Sequence, residues 1–378
     1  MRRLLASILL ASAPAFAGFS WSIRVTFDHT KVGAGTENES SFPVVLTPGD
    51  ASLRTIAGGG KIFSLTGADI LAYSDSGCTM QLPSELPWYD GTNGNIELWV
   101  QVSTLSYTAN TSVYICVGNA SPPSRTTGVW DGNFKGVWHV PNGSSLTVND
   151  STANGNSASN LHGSSAVTGK IDGAAGFAGS TWVDVPDSAS LNVTSAYSLS
   201  TWIYRTGNVA PFASIFGLLY GNGSNSPYIC YDLELDRNSL GSDVVSILQN
   251  YSSGGFTSLD SPANTVPQNT WVLVYATWDG TTLRLYANGS PVGSAPVSGG
   301  IAYNSTQSLG IGGIGAGGMV GALDELRLSN TARSAGWIST EYQNQSNPGS
   351  IGSPGFATFG SWLSSNGNSG SGGVSILI

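Results

Sequence analysis

The chain has 378 residues, 14 basic against 23 acidic, for a net charge of −9, and only 10% of its residues are charged. So acidic a chain excludes nucleic acid, whose binding needs Lys and Arg to displace counterions, and it excludes anionic membrane surfaces. The length suggests two domains, and 50 glycines among short β-branched and aromatic runs indicate an all-β protein rich in turns.

The N-terminal "MRRLLASILLASAPAFA" places Arg2 and Arg3 before an apolar stretch and Ala15-Phe16-Ala17. That is the layout of a secretory signal peptide over residues 1–17, cleaved after Ala17. Its apolar stretch is too short to span a bilayer, and no later segment is long and apolar enough. No Cys follows the cleavage site, which argues against lipid anchoring. The mature chain is expected to be exported and soluble, periplasmic or extracellular, with a charge of −11 once Arg2 and Arg3 are removed.

Residues 18–127 carry short alternating runs bounded by Gly, Asn, Pro or Asp: "WSIRVTF", "SFPVVL", "DILAYS", "IELWVQV" and "SVYICVG". They predict a β-sandwich. "SPPSRTTG" (121–128) reads as a linker. Three cysteines are present, Cys78, Cys116 and Cys230. Either Cys78 pairs with Cys116, both lying in the first half, or all three are buried thiols. No C-x-x-C or Cys/His cluster suggests zinc.

Residues 128–348 form the second predicted domain. Its clearest element is "WVLVYATW-DG-TTLRLYANG", two runs around Asp279-Gly280, which suits a type I′ hairpin turn. Trp271, Leu273, Tyr275 and Thr277 share one face; Val272, Val274, Ala276 and Trp278 share the other. Apolar on both sides, this is predicted to be a central strand. "YSLSTWIYR" (197–205) is another strand, and "SAGWISTEYQNQ" (334–345) is the one predicted helix, capped by Ser334. Residues 349–378 read as a loosely held Gly/Ser-rich tail.

Charge is concentrated in "ALDELRLSNTARSAGW" (322–337). Period two sends Val320, Ala322, Asp324, Leu326 and Leu328 inward, and Leu323, Glu325 and Arg327 outward. Glu325 and Arg327 are then expected to form a partly exposed ion pair worth about 0–1 kcal/mol. Asp324 enters the core and needs backbone N–H donors, a counter-charge such as Arg333, or a Ca²⁺ ion.

"YDLELDR" (231–237) alternates three carboxylates, Asp232, Glu234 and Asp236, on one predicted strand face. Two carboxylates on neighbouring positions have the spacing glycoside hydrolysis uses, so a glycosidase is an alternative. The bland alternative is a solvated or cation-binding acidic face. "GIGGIG" (310–315) matches a dinucleotide motif in letters, but no helix-forming segment follows it. His29, His139 and His162 are isolated, with no motif that makes them ligands or bases. Trp182, Tyr220, Tyr228, Tyr251 and Tyr303 lie near predicted strand ends, where aromatics can stack on sugars; none is singled out as a site.

Residues 129–349 resemble the laminin-G-like, concanavalin A-like jelly-roll domains. The resemblance rests on "GKIDGAAGFAGSTWVDVP" (169–186), "SLSTWIYR", "WDGTTLRLYANG" and "GALDELRLSNTARSAGWISTEYQNQSNPG". The first half is similar to domain of unknown function 2341, through "GADILAYSDSG", "LPSEL" with Glu85, "IELWVQV" and "SVYICVGNAS". It departs from that family where Cys116 and Val117 replace aromatic residues. The jelly-roll resemblance implies a binding module for an extracellular polysaccharide or a cell-surface partner, with Ca²⁺ at the rim in some relatives. Only Asp324 carries over from that family's terminal Asp-Glu pattern. The jelly-roll glucanases have Glu-x-Asp-x-Glu where this chain has Asp-x-Glu-x-Asp. The expectation is therefore a non-catalytic binding protein, with a glycosidase and a structural envelope or adhesion protein as alternatives.

Overall fold

The computed structural model describes residues 17–219, 228–251, 254–297, 299–303, 307–314 and 318–365. The predicted signal peptide and the last residues of the tail lie outside them, apart from Ala17.

The first half builds two small sheets. In one, Trp21–Phe27 pairs with Thr111–Val117, which pairs with Leu71–Tyr73. In the other, Asn95–Leu105 lies between Glu39–Leu46 and Ser84–Asp90. Alternation supplies the core: Ile23, Val25, Phe27, Val113 and Ile115 from one sheet meet Val44, Leu46, Leu98 and Val100 from the other, all buried. Cys78 and Cys116 are bonded, tying the loop after Leu71–Tyr73 to its neighbouring strand.

The second half is a larger two-sheet sandwich, with all-β layers as expected. One sheet has six strands in the order Val183–Val185, Leu309–Ile311, Ala213–Leu219, Ile229–Leu235, Val245–Asn250, Phe256–Asp260. The facing sheet runs Ser290–Pro296, Thr282–Ala287, Trp271–Trp278, Tyr197–Arg205, Val320–Ser329, Gly173–Ala178, Ser165–Thr168; Phe134–Trp138 also pairs with Val320–Ser329. Trp271–Trp278 is internal and apolar on both sides for two reasons. Val272, Val274, Ala276 and Trp278 enter the sandwich core. Tyr275, on the other side, packs with Tyr286 and Ile338 of the helix Ala335–Ser346. Ser334 caps that helix, its hydroxyl accepting from the Trp337 N–H.

Two expectations change. The Asp279-Gly280 turn is not type I′: Gly280 has φ 92°, but Asp279 is not in the positive-φ region. Its carboxylate instead accepts from the Thr281 and Thr282 N–H groups and from Arg284, organising a wider loop. The tail is not loose throughout. Ala357–Phe359 pairs with Trp21–Phe27, Val25 opposite Phe359, and buried Phe356 joins the first core. The Gly/Ser composition concealed three aromatics, Phe356, Phe359 and Trp362, that the first sandwich needs.

The halves are also not beads on a linker. Trp130, Phe134, Val137 and Trp337, all beyond residue 128, are buried in the first core. The helix is the wedge between the halves. Asn344 accepts from the Val45 N–H and donates to the Val45 carbonyl, at 2.9 and 3.0 Å. Trp337 packs against Phe42, the rings tilted by 55° with centres 4.6 Å apart.

Candidate functional site

The outer face of the six-stranded sheet is where the alternation places polar side chains. Register aligns them into two rows across the strands. One runs Asp184, Gly310, Gly217, Asp232, Leu248, Ser258. The other runs Ser214, Glu234, Ser246, Asp260. The odd-numbered neighbours Tyr231, Leu233 and Leu235 fill the core beneath. At one edge, Trp182 stacks on His162 with ring centres 4.1 Å apart, and both donate toward Asp184: His162 Nε2 lies 2.6 Å from one oxygen and Trp182 Nε1 3.1 Å from the other. Phe256, 42% exposed, stands on the opposite edge strand.

The three alternating carboxylates do not all stay on that face. Asp232 and Glu234 do; Asp236 turns off the strand at φ 55°, and its carboxylate accepts from the Gly241 N–H. Asp232 accepts from the Ser214 hydroxyl at 2.7 Å. Burial pushes Asp232 well above the usual carboxylate range, helped by Glu234. Glu234 is pushed up to about 7, chiefly by burial; Arg237 opposes this and Asp260 adds to it. Arg237 is committed elsewhere, in a two-point pair with Asp260 at 2.8 and 2.6 Å. Gly310 lies in a strand of this sheet, antiparallel to both neighbours, which rules out the nucleotide-loop reading of "GIGGIG".

The other concentration of charge is a seam between the two halves, where the 322–337 segment lies. Strict alternation fails there. Glu325 adopts φ 53°, and the pairing with Tyr197–Arg205 slips between Ser200 and Trp202. This β-bulge sends Leu323, Leu326 and Leu328 together into the core. Asp324, Glu325 and Arg327 face away from the sandwich, toward the first half. Asp324 is fully buried there rather than in the sandwich core. One carboxylate oxygen accepts from the Lys170 and Ile171 N–H groups at 2.8 and 3.0 Å. Arg333 is not its counter-charge; it grips Asp131 instead. Burial first, then Glu325, push Asp324 well above its ordinary range.

The Glu325–Arg327 pair is not partly exposed, because the first half covers it. Arg327 bonds Glu325 at 2.7 Å and Glu341 at 2.6 Å, and its guanidinium lies over Trp99 and Trp130. Glu325 in turn lies 2.8 Å from His139 Nδ1, and Glu85 lies 2.7 Å from His139 Nε2. Burial alone would push His139 down, but Glu325 and Glu85 hold it well above the usual histidine range, as an imidazolium donating from both nitrogens. Glu97, buried beside it, accepts from Trp99 Nε1. Burial, then Asp172, push Glu97 well up.

Sequence reasoning missed His139. The available signal was the one that exposed Asp324: single charges inside apolar runs, as in "VWHVP" and "NIELWV". Among the described residues, Glu97, His139 and Glu325 offer ligand atoms within 4.8 Å of one another, and Asp324 is not in that group. Arg327 beside Glu325 and the two hydrogen bonds of the imidazolium make it a poor cation site. Of the aromatics noted above, Tyr228 is 47% exposed, Tyr303 is tied to the Val193 carbonyl, and Tyr220 lies outside the described residues.

Residues 177–339 match the model of the Concanavalin A-like lectin/glucanases superfamily, which identifies the second sandwich as a concanavalin A-like jelly roll. No curated protein matches the chain. Three similar solved structures are low in identity. The binding domain of Paraclostridial Mosquitocidal Protein 1 is 15% identical, with a TM-score of 0.44, 56% of this chain covered and 52% of the other. Domain 4 of AbnA, a GH43 extracellular arabinanase from Geobacillus stearothermophilus solved with arabinotriose, is 20% identical, with a TM-score of 0.43 and coverage of 56% and 98%. The ligand binding domain of botulinum neurotoxin serotype D, solved with N-acetylneuraminic acid, is 14% identical, with a TM-score of 0.42 and coverage of 56% and 51%. The chain thus spans about half the length of the two toxin domains.

Proposed function

We propose, with the concanavalin A-like jelly roll of residues 177–339 as premise, that the protein is an exported, non-catalytic binding module for an extracellular polysaccharide or a glycan-bearing cell-surface partner. The observation that carries the reading is the outer face of the six-stranded sheet. Two rows cross it. The glycines at 217 and 310 let Ile314 pack against its middle, where Ser214, Asp232, Glu234 and Ser246 are buried, so the open part is the rim, with Trp182 and Asp184 at one edge and Phe256, Ser258 and Asp260 at the other. At about 4.8 Å per strand the face is roughly 24 Å wide. Rim hydroxyls and carboxyls, with the face of the half-exposed Trp182 ring that His162 leaves free, are groups that orient and stack sugar rings. Export is supported by the Cys78–Cys116 bond, which persists in an oxidising compartment.

The same face argues against hydrolysis. A glycosidase needs one ionised carboxylate and one protonated partner. Here Asp232 and Glu234 are both buried out of reach of a sugar, and Asp236 has left the face.

A glycan array on the mature chain, with product analysis, tests this. Binding without cleavage, weakened in Trp182→Ala and retained in Glu234→Gln, is the expected result. Turnover abolished in Glu234→Gln would establish the glycosidase instead. Capture of an envelope protein with no glycan signal would establish the structural alternative. Repeating the array with EDTA tests calcium at Asp324: with two backbone N–H groups on its carboxylate, neither binding nor melting temperature should change.

A further inference from the structure

A second concavity lies between the halves, away from the sheet face. Its volume is about 290 Å³, at the small end of ligand pockets. Trp88 forms one wall. It sits opposite Glu97 in the pairing of Ser84–Asp90 with Asn95–Leu105, which turns it toward the second half. Ile96 and Ile171 supply apolar surface, and Asn95, Asn142 and Thr168 supply polar groups.

Two features set this cleft apart from ordinary surface. First, Trp88 is half-exposed, and among the described residues it has no ring or cation partner and no place in a core cluster. Each of the other ten tryptophans packs on an aromatic ring, a histidine or a cation. A large apolar ring left on a concave wall is available for stacking. Second, the side chains of Asn95, Asn142 and Thr168 have no protein hydrogen-bond partner among the described residues, so their donors and acceptors are open to the cleft.

The charge around the cleft narrows the ligand. Asp172 lines it, and both of its oxygens already accept backbone N–H groups, from Asn142 and Gly173. A cationic ligand finds no open carboxylate there. No Lys, Arg or His lines the cleft to receive an anionic one. A neutral ring with an apolar face and a rim of hydroxyls matches indole, aliphatic floor, amides and hydroxyl together.

We propose that this cleft is a second carbohydrate site, taking one neutral pyranose unit of a glycan stacked on Trp88 and hydrogen-bonded by Asn95, Asn142 and Thr168. It rests on the proposed ligand class but not on the sheet-face site. Because its walls come from both halves, it exists only when they are docked.

The test uses the full mature chain labelled with 5-fluorotryptophan. Trp88→Phe and Trp182→Phe assign the two ¹⁹F resonances. Cellotriose, laminaritriose, xylotriose, maltotriose and mannotriose are titrated to millimolar concentration, beside a tetralysine peptide. The expected result is that at least one sugar shifts the Trp88 resonance, and that Trp88→Ala and Asn142→Ala each weaken that binding about tenfold. Asn142→Ala, at an exposed position, guards against a folding defect in the tryptophan variant. Movement of Trp182 alone would overturn this site while leaving the sheet-face reading standing. Movement of Trp88 alone would do the reverse. No shift at Trp88 with any sugar, or a shift with tetralysine in their place, would overturn the proposal.

Discussion

Replacing Arg327 with Met is the sharpest probe of the seam. The side chain is 1% exposed, bonds Glu325 and Glu341 at 2.7 and 2.6 Å, and lies over two indoles. Met preserves much of the packing but leaves two carboxylates buried without their shared cation. Breaking a buried pair from one side costs about 3–5 kcal/mol. At about 2–4 °C per kcal/mol for a protein of this general size, the melting temperature falls by roughly 6–20 °C. Urea unfolding at neutral pH measures the loss. Two controls tie it to charge. Adding Glu325→Gln and Glu341→Gln to the variant should restore most of the deficit, because the orphaned charges are gone. Acid should narrow it as well. Glu325 is held below the ordinary glutamate range, by His139 and then Arg327 against the effect of burial. Its stabilising contribution is therefore present above the unfolded value of about 4.3 and lost as pH falls through the folded one, so wild type and variant converge. A loss below about 1 kcal/mol at neutral pH, the range of exposed pairs, would refute the buried-network account, as would a deficit untouched by the two Gln substitutions.

The protein should be more stable near pH 5 than near pH 8. Glu39 and Glu234, both buried, are raised to about 7, by burial first in each case. Their folded forms hold a proton the unfolded chain releases, so stability drops as pH climbs from about 4.5 through 7. His139, also raised, contributes below about 6.5 and loses that contribution as pH rises through its folded value. A thermal-melt series across pH checks this; a maximum on the alkaline side would contradict it. Glu234→Gln should leave the melt unchanged near pH 4 and raise it near pH 8, by up to about 3 kcal/mol in stability; equal effects at both would mean that ionisation is not involved. Replacing Cys78 and Cys116 with Ala removes a closure across 38 residues, expected from chain entropy to cost about 4 kcal/mol by urea unfolding; a cost under about 1 kcal/mol would place the stability of the first sandwich elsewhere.

What could be read from the residues was what local periodicity encodes. Trp271–Trp278 showed its burial on both sides because both of its faces are apolar, and Ser334 showed the helix start because capping is a local interaction. The bulge at Glu325 was not readable. A non-glycine residue at φ 53° carries no mark in the sequence, and one such residue shifts the phase of alternation between the two sides of it, so Leu326, Arg327 and Leu328 lie as expected while Leu323 and Asp324 exchange sides. The buried charges were visible as anomalies but not as a set. His139 meets Glu325 across 186 positions and Glu85 across 54, separations that no window of alternation spans. Asp324 was expected to need backbone donors, a counter-charge or Ca²⁺, and the backbone donors it meets are Lys170 and Ile171, more than 150 residues earlier. The tail misled for the opposite reason: its composition is that of a linker, and only the three aromatics within it betray a strand.

The seam's composition makes sense as a device for choosing one docking of the halves. An apolar interface of the same area would hold them at least as tightly, since buried ion pairs seldom outperform well-packed hydrocarbon. It would also tolerate sliding. Here Asn344 must meet both polar groups of Val45, Thr340 must receive the Gly33 N–H, and Glu325, Arg327 and Glu341 must find one another beneath Trp99 and Trp130. A shift of one residue would orphan several buried polar groups at once, each at a cost of about 1–3 kcal/mol or more. The chain moreover returns to the first sandwich through Ala357–Phe359, so the halves are joined by two chain crossings rather than one. A cleft walled by Trp88 on one side and Asn142 on the other therefore keeps its width, which is the condition a sugar ring of fixed size imposes on a site built from two domains.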